Sequence, residues 1–428
     1  MEKIVVLGAG ESGVGAAVLA KKNGFEVFVS DFSAIKDNYK QILKENSIPF
    51  EEGGHTAEKI LQAKEIIKSP GIKENAPIVE KAREKNIPII SEIEFAFKFL
   101  PKNAKTICVT GSNGKTTTTE LIYSMLKKMG KLSEMCGNIG KSFAMTLSEG
   151  SKAEYYVLEL SSFQLDGMYD FRADVAILLN ITPDHLDRYD WKLENYAASK
   201  FRITQNQNIS DAFIYFSDDK NIEKEMKKHT LKQKLYPFNL SSDILKNFAD
   251  CKLKGIHNFL NITAALLAIK HLGLDLNLAT KAAEEFSPVE HRIEPSGMIN
   301  GVEYINDSKA TNVDAVWYAL EAIKTKVVLI LGGVDKGNDY SQLYPFLKEK
   351  VTAIVAMGKD NSLIHKAFDN RIEVFDTSSM DSCLEMCIKI AKPGETVLLS
   401  PACASFDLFT CYEDRGEQFK AGVSKRMK

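Results

Sequence analysis

The sequence predicts three α/β domains whose sheets are mostly parallel. Three observations carry that prediction. The chain has 428 residues, too many for one ordinary hydrophobic core. Short apolar runs alternate with amphipathic segments of helix length from one end to the other, the pattern of repeated β-α units. Two glycine-rich loops, "VVLGAGESGVG" and "CVTGSNGKTTTT", each follow an apolar run and open a helical one, as phosphate-holding loops of parallel sheets do.

Taken in order, "KIVVLG" reads as a strand, the stretch after Gly13 as a helix, and "FEVFVSD", "AKEIIKSPG" and "IPIISE" as further strands. "FLPKNAK", with its proline and polar residues, reads as a linker, so a first domain spans 1–97. A second alternation begins at "TICVTG", runs through "EYYVLELSS" and "DVAILLNI", and ends in helical stretches from Asn258 to His271 and from Leu278 to Phe286. The break "FSPVEHR" closes this central domain, 98–287. "GVEYINDS", "KVVLILGG", "VTAIVAMG", "IEVFD" and "ETVLLSP" are the strands of a third domain, 288–428. There is no repeat of fixed period and no low-complexity tract.

Composition narrows the class. With 44% hydrophobic and 26% charged residues the chain reads as a soluble globular protein. A formal charge of −2 offers no basic excess for nucleic acid or an anionic membrane, so any phosphate must be gripped locally. Seven cysteines are scattered without a CxxC pair, which points to a reducing cytoplasm rather than disulfides or a metal cluster. No basic leader with an apolar run is read at the start, and no apolar segment approaches the length of a membrane span.

The two loops carry the chemistry. Gly8, Gly10 and Gly13 fit G-x-G-x-x-G between a strand and a helix, and Asp31 closes the next strand. This is either a cradle for a diphosphate-bearing nucleotide or a structural tight turn. In the second loop, Gly111 and Gly114 let amides face phosphate oxygens, Lys115 supplies a charge for the outer phosphates, and Thr116 offers a hydroxyl to Mg²⁺. Val109 stands where the usual pattern has its first glycine. Glu159, at the end of the apolar run "YYVLE", is either a Mg²⁺ ligand or a helix N-cap acid. Asp184, His185 and Asp187 lie just past another strand, with a site role and a structural role equally open for the histidine. Lys200, on "LENYAASKFRI", reads as a solvated lysine.

Taken together, "TGSNGKTTT", "VLELSSFQL", "NITPDHLDRY", "AASKFRI", "GIHNFLN", "EHRIE", "NDSKATN" and "LLSPACASFDLF…RGEQF" resemble the Mur ligase family over essentially the whole chain. "ELSSFQL", "NDSKATN" and "SPACASFD" resemble its D-glutamate-adding branch, and the D-N-P-R motif typical of the diaminopimelate- or lysine-adding members is not found. The resemblance implies a Rossmann-like N-terminal domain, a central P-loop ATP-binding domain and a Rossmann-like C-terminal domain. It implies ATP-dependent addition of D-glutamate to UDP-N-acetylmuramoyl-L-alanine through an acyl phosphate, in peptidoglycan precursor synthesis, with two Mg²⁺ ions. It also implies a cytoplasmic monomer whose partners are small molecules.

Residue roles follow from the same resemblance. Gly111, Ser112, Asn113, Gly114, Lys115, Thr116 and Thr117 would surround the ATP phosphates, and Asn258, Arg292 and Asp307 would complete the ATP site. Glu11, Ser12 and Asp31 would meet the uridine part of the substrate, and Asn138, Ser161 and Gln164 its muramoyl part. Thr116, Glu159, His185 and Lys200, the last as a carbamate, would hold metal. Lys336, Ser405 and Tyr412 would contact D-glutamate, with Tyr412 in a slot where phenylalanine is expected. Three rival readings are a nicotinamide-dependent oxidoreductase, a P-loop ATPase without ligase chemistry, and another amide ligase such as a folylpolyglutamate synthase.

Overall fold

A computed structural model describes residues 2–240, 251–253, 255–287 and 290–427. Residues 288 and 289 of the break "FSPVEHR" lie outside the described residues. The strands are β1 (Lys3–Leu7), β2 (Glu26–Ser30), β3 (Phe50–Glu51), β4 (Glu65–Lys68), β5 (Ile89–Ile90), β6 (Lys105–Thr110), β7 (Ser133–Gly137), β8 (Tyr155–Glu159) and β9 (Val175–Leu178). They continue as β10 (Ala212–Phe216), β11 (Lys234–Phe238), β12 (Glu294–Ile299), β13 (Val302–Asn306), β14 (Val327–Gly332), β15 (Val351–Met357), β16 (Val374–Thr377) and β17 (Thr396–Ala402).

These form three sheets, ordered β3-β2-β1-β4-β5, β11-β10-β9-β6-β8-β7 and β12-β13-β17-β14-β15-β16. Every pairing is parallel except β12 with β13. The central strands are apolar along their length because helices cover both faces, so alternate residues have no solvated side to favour polar groups. All six residues of β14, "VVLILG", are buried. In the first and second sheets, β1 and β6 sit where the strand order reverses. Such a reversal opens a crevice at the strands' carboxyl ends, where ligands of open α/β sheets bind. Each glycine-rich loop leaves one of these two strands.

The chain divides into two compact units. The first holds the described residues of 2–181, 194–240 and 260–285, and with them the first two sheets. The second holds those of 182–193, 251–259 and 286–427, and with them the third sheet. Within the first unit, the helix Glu92–Phe97 joins the two sheets. Glu94, itself buried, accepts from the amides of Tyr169, Asp170 and Phe171, and Ser91 donates its amide to Gly167 O at 2.8 Å. The helix Glu11–Lys22 packs on Phe143–Ser148 so closely that a methyl at Gly15 would overlap Ser142 Oγ.

The strand reading from sequence needs additions and one correction. β3, β7, β10, β11 and β12 are elements the sequence reading did not place. β3 has only two residues, and β11 and β12 each contain a proline, which suits sheet edges and obscures the pattern. Lys200 is 1% exposed, not solvated, because its helix Leu193–Phe201 lies under the second glycine loop. Among the described residues, none of the seven cysteines is in a disulfide. Among the described residues, no helix is long and apolar enough to cross a membrane.

Candidate functional site

The second loop is built by strand ends and closed by asparagines. β6 ends at Thr110, and Val109 is fully buried inside it, paired with Glu159 of β8 and Ile177 of β9. The position lacking a glycine is therefore a core strand residue, where a glycine would only weaken packing. The turn begins at Gly111 (φ 154°), and Gly114 (φ 83°) is the N-cap of the helix Lys115–Lys128. Gly114 admits no side chain, since a methyl there would overlap Asn261 Oδ1. Asn180, just past β9, accepts from Asn113 N with its side chain at 2.8 Å and donates to Asn113 O at 3.1 Å. Its carbonyl takes the Ser112 amide at 2.9 Å.

Two lysines meet at this loop. Lys115 Nζ donates to Gly111 O and Ser112 O, each at 2.8 Å. Lys200 Nζ also donates to Gly111 O at 2.8 Å and lies 4.5 Å from the centre of the Tyr196 ring. Tyr196 OH is 3.3 Å from Ser112 Oγ. Thr116 and Thr117, in the first turn of the helix, are buried. A helix N-terminus with two ammonium groups beside it is a site for a polyanion.

Glu159 ends β8, the strand paired with β6, in register with Val109 just before this loop. It is 2% exposed; Oε1 accepts from Asn138 Nδ2 at 2.8 Å, and Oε2 is buried with no hydrogen-bond partner. An orphaned buried carboxylate oxygen costs desolvation energy that a bound cation would recover. The N-cap alternative for Glu159 is set aside, because Ser161 caps the helix Ser162–Leu165 and forms a capping box with Gln164. Ser161 and Gln164 thus bond one another, and Asn138 is held by Glu159 through both its amide (2.9 Å) and its side chain.

The first loop is arranged differently. Gly8 has φ 88°, and a methyl at Gly13 would overlap Gly8 O. The helix begins at Glu11, with Ser12 following. Asp31 Oδ2 accepts from Ala9 N at 2.6 Å and Oδ1 from Ser33 N at 2.8 Å, which ties the end of β2 to the loop. Glu11 accepts from Ser142 N at 3.2 Å.

In the second unit, the candidate residues cluster at the carboxyl ends of β13, β14 and β17. Asp307 follows β13 and is buried; it accepts from Ser400 Oγ at 2.7 Å and from Ile293 N at 3.3 Å. Burial outweighs these bonds and pushes its carboxyl up to about 7. Arg292 Nε is buried without a partner. Asn258 lies on the helix Ile256–His271, beside His257, whose imidazole burial and Arg292 hold down at about 4. Val334 and Ala404 form an antiparallel bridge that brings the turn of Lys336 to the segment of Ser405. Tyr412 O accepts from Ser308 Oγ at 2.8 Å, and the Tyr412 ring lies edge-on to His291.

His185 belongs to this second unit, with φ 54°. Beside it, Asp184 meets Lys336 Nζ at 2.6 Å. Burial acts to raise the Asp184 carboxyl, but the Lys336 ammonium and His185 outweigh it and hold it at about 2. Lys115, Thr116, Glu159 and Lys200 are brought together in the first unit. Asn258, Arg292, Asp307, Lys336, Ser405, Tyr412 and His185 lie in the second.

Sequence reasoning did not single out Asn180, Tyr196, Asn261 or Arg415. Arg415 is 1% exposed and bonds Ser308 and the Cys403 carbonyl, clamping the ends of β13 and β17, and burial lowers its guanidinium to about 10. The signal for it was its place at the head of "RGEQF", a motif quoted for the family resemblance without a role for the arginine.

Three comparisons bear on this arrangement. Residues 2–91 match the family described as the MurD-like N-terminal domain of Mur ligases, 109–269 the Mur ligase middle domain, and 291–403 the Mur ligase glutamate ligase domain. A UDP-N-acetylmuramoylalanine–D-glutamate ligase of Bacteroides fragilis is 52% identical over 99% of this chain and 99% of its own. One of Cytophaga hutchinsonii is 50% identical over 98% of each. Among solved structures, a UDP-N-acetylmuramate–alanine ligase of Thermotoga maritima has a TM-score of 0.62 at 19% identity, covering 99% of this chain and 100% of that one. A bifunctional folylpolyglutamate synthase/dihydrofolate synthase of Yersinia pestis, complexed with AMPPNP and a Mn ion, has a TM-score of 0.57 at 15% identity, covering 78% and 92%.

Proposed function

The chain belongs to the Mur ligase family, and from that premise we infer that it is an ATP-dependent ligase joining D-glutamate to UDP-N-acetylmuramoyl-L-alanine in peptidoglycan precursor synthesis. The observation that carries the reading is the pairing of a phosphate loop with a buried acid, Glu159, that has one oxygen unspent. A nicotinamide oxidoreductase would leave that pairing without a task. The level of identity to D-glutamate ligases over the full chain supports the choice of amino acid.

The chemistry explains the residues. A carboxylate does not react with an amine at neutral pH. The alanyl carboxylate of the substrate attacks the γ-phosphorus of ATP, ADP leaves, and an acyl phosphate forms. The uncharged amine of D-glutamate then attacks the acyl carbon, phosphate departs with the bonding electrons, and the amine gives up a proton as the amide forms.

The first step brings two anions together. Lys115 would leave its own loop carbonyls for the phosphate oxygens, and the amides at the start of the helix that Gly114 caps would face the same charge. Thr116, Glu159, His185 and Lys200 as a carbamate are the residues that would hold Mg²⁺, two ions in all. The metal would supply charge neutralisation for the phosphates. The unpartnered Glu159 oxygen fits that role. Asn258, Arg292 and Asp307 would complete the ATP site, and the unpartnered Arg292 Nε is a donor suited to it.

On the substrate side, Glu11, Ser12 and Asp31 would hold the uridine diphosphate part, with Asn138, Ser161 and Gln164 along the muramoyl part. Lys336, Ser405 and Tyr412 would receive D-glutamate. The domain divisions 1–97, 98–287 and 288–428 would then separate nucleotide-sugar, ATP and amino-acid binding, in a cytoplasmic monomer.

The test is phosphate release by the purified protein given ATP, Mg²⁺, UDP-N-acetylmuramoyl-L-alanine and a panel of D- and L-amino acids. Release that requires both the nucleotide substrate and D-glutamate is expected. Release without them would indicate a plain ATPase, and preference for another amino acid would overturn the substrate assignment.

A further inference from the structure

We propose that the segment Thr182–Leu193 is the positioning element of the amino-acid subsite, with Asp184 orienting the Lys336 ammonium and Trp191 covering the turn that carries it. The inference rests on the reading of Lys336 as a ligand of D-glutamate.

The backbone under Lys336 is fixed from inside the second unit. Asp335 Oδ1 accepts from the amides of Gly337 (2.7 Å) and Asn338 (3.0 Å), and its Oδ2 accepts from Tyr340 OH at 2.8 Å. Asn338 Nδ2 donates to Ala402 O at 3.0 Å, joining the turn to the end of β17. The side chain is a different matter. A lysine has a flexible four-carbon stem and three N–H donors, and nothing in its own backbone says where the ammonium points.

Asp184 answers that question. Its Oδ1 lies 2.6 Å from Lys336 Nζ, and both side chains are largely buried, 8% and 12% exposed. Its Oδ2 accepts from Asn312 Nδ2 at 3.2 Å, so the carboxylate is itself held. A charge-assisted bond between two buried groups fixes the Nζ direction and leaves two of the three donors for an incoming carboxylate. The two charges also cancel, so the subsite attracts an anion by placed donors rather than by net charge.

Two further contacts hold the segment to the same unit. Thr182 Oγ1 lies 3.4 Å from Asp314 Oδ2. Trp191 rests on Gly337, the residue after Lys336, so tightly that a methyl there would overlap the indole. Asp190 and Trp191 both have positive φ, 55° and 58°. Two consecutive non-glycine residues in that region are strained, and such strain persists where surrounding contacts over-determine it. Trp191 is 63% exposed, so burial of its ring does not account for the arrangement. The contact with the Lys336 turn does.

The experiment uses the full chain in steady-state assays and K336A as control. D184N keeps the side-chain size and an acceptor for Asn312 but removes the anion. It should raise KM for D-glutamate about tenfold or more, the weight of one charge-assisted hydrogen bond, with KM for ATP and for the nucleotide substrate unchanged. W191A should raise the same KM by a smaller factor. Trp191 and Trp317 are the two tryptophans of the chain, so in W317F the emission of Trp191 reports on the turn, and it should shift as D-glutamate is titrated in the presence of the nucleotide substrate.

A K336A variant with unchanged KM for D-glutamate would sink the reading of Lys336 and the inference with it. A raised KM in K336A with an unchanged one in D184N would overturn the inference alone. So would an equal rise in KM for all three substrates, which would mark Asp184 as a merely structural residue. Should D184N not fold, emission of Trp191 that stays constant to saturating D-glutamate decides against the proposal.

Discussion

After β1 the chain turns at Gly8 and starts a helix at Glu11; after β6 it turns at Gly111 and starts a helix at Lys115. The backbone device is the same, but the charges around it are not. The acids at the first loop are spent on amides: Asp31 on Ala9 and Ser33, Glu11 on Ser142. The second loop has two ammonium groups converging on the Gly111 carbonyl, and an acid at the end of the neighbouring strand with one oxygen unspent. A loop that only binds a diphosphate can do so with amides and a helix terminus. A loop where phosphate is transferred needs cations placed where charge grows in the transition state.

The comparison breaks most visibly at Lys115. Lys115→Ala should lower turnover by about a hundredfold to a thousandfold, the range for removing one preorganised donor, with an unchanged Tm. Turnover within about tenfold of the parent would mean that the two loops do not differ as argued. Glu159→Gln preserves an acceptor for Asn138 and removes the charge. A fall of about a hundredfold in kcat is expected, with KM for the nucleotide substrate little changed; a full response to Mg²⁺ in this variant would remove Glu159 from the metal site.

The first loop is sharpened by Gly13→Ala, which puts a methyl onto the Gly8 carbonyl. It should cost about 1–3 kcal/mol of stability, as overpacking does, and raise KM for the nucleotide substrate while sparing KM for ATP. A selective rise in KM for ATP instead would contradict the division of labour between the loops.

The smallest effect concerns the joint between the two loop-bearing sheets. Glu92 is buried and accepts from Ala144 N, and burial pushes its carboxyl up to about 8. Folding therefore favours its protonated form. That contribution is fully present below the ordinary carboxylate range and is lost as pH rises through about 8. Glu92→Gln should flatten the fall in Tm between mildly acidic and alkaline buffer, with a gain of a few degrees on the alkaline side. Parallel Tm profiles for parent and variant would show that Glu92 does not titrate in this window.

Much of the molecule was legible from residues in a row. The loops, the strands that precede them and the acid ending β8 are local features, because a parallel strand buried on both faces must be apolar and a phosphate turn must contain glycine. Lys200 was misread for an equally physical reason. On an amphipathic helix a lysine reads as solvated, and only the packing of Leu193–Phe201 beneath the second loop buries it. Asn180 and Asn261 stand in the quoted motifs "NITPDHLDRY" and "GIHNFLN", but their role was unread because an asparagine bracing a turn from another strand or helix leaves no periodic trace.

What the sequence by itself determined is the family, and it displayed two glycine-rich loops and the residues proposed for metal and nucleotide. Tertiary structure decided which oxygen is unspent at Glu159, that Ser161 rather than Glu159 caps its helix, and that a segment from the middle of the chain carries Asp184 and Trp191 to the turn of Lys336. The physical reason is range. Propensity and turn chemistry act over a few neighbouring residues, whereas Asp184 and Lys336, 152 residues apart, meet only because the segment 182–193 folds into the same compact unit as the turn of Lys336.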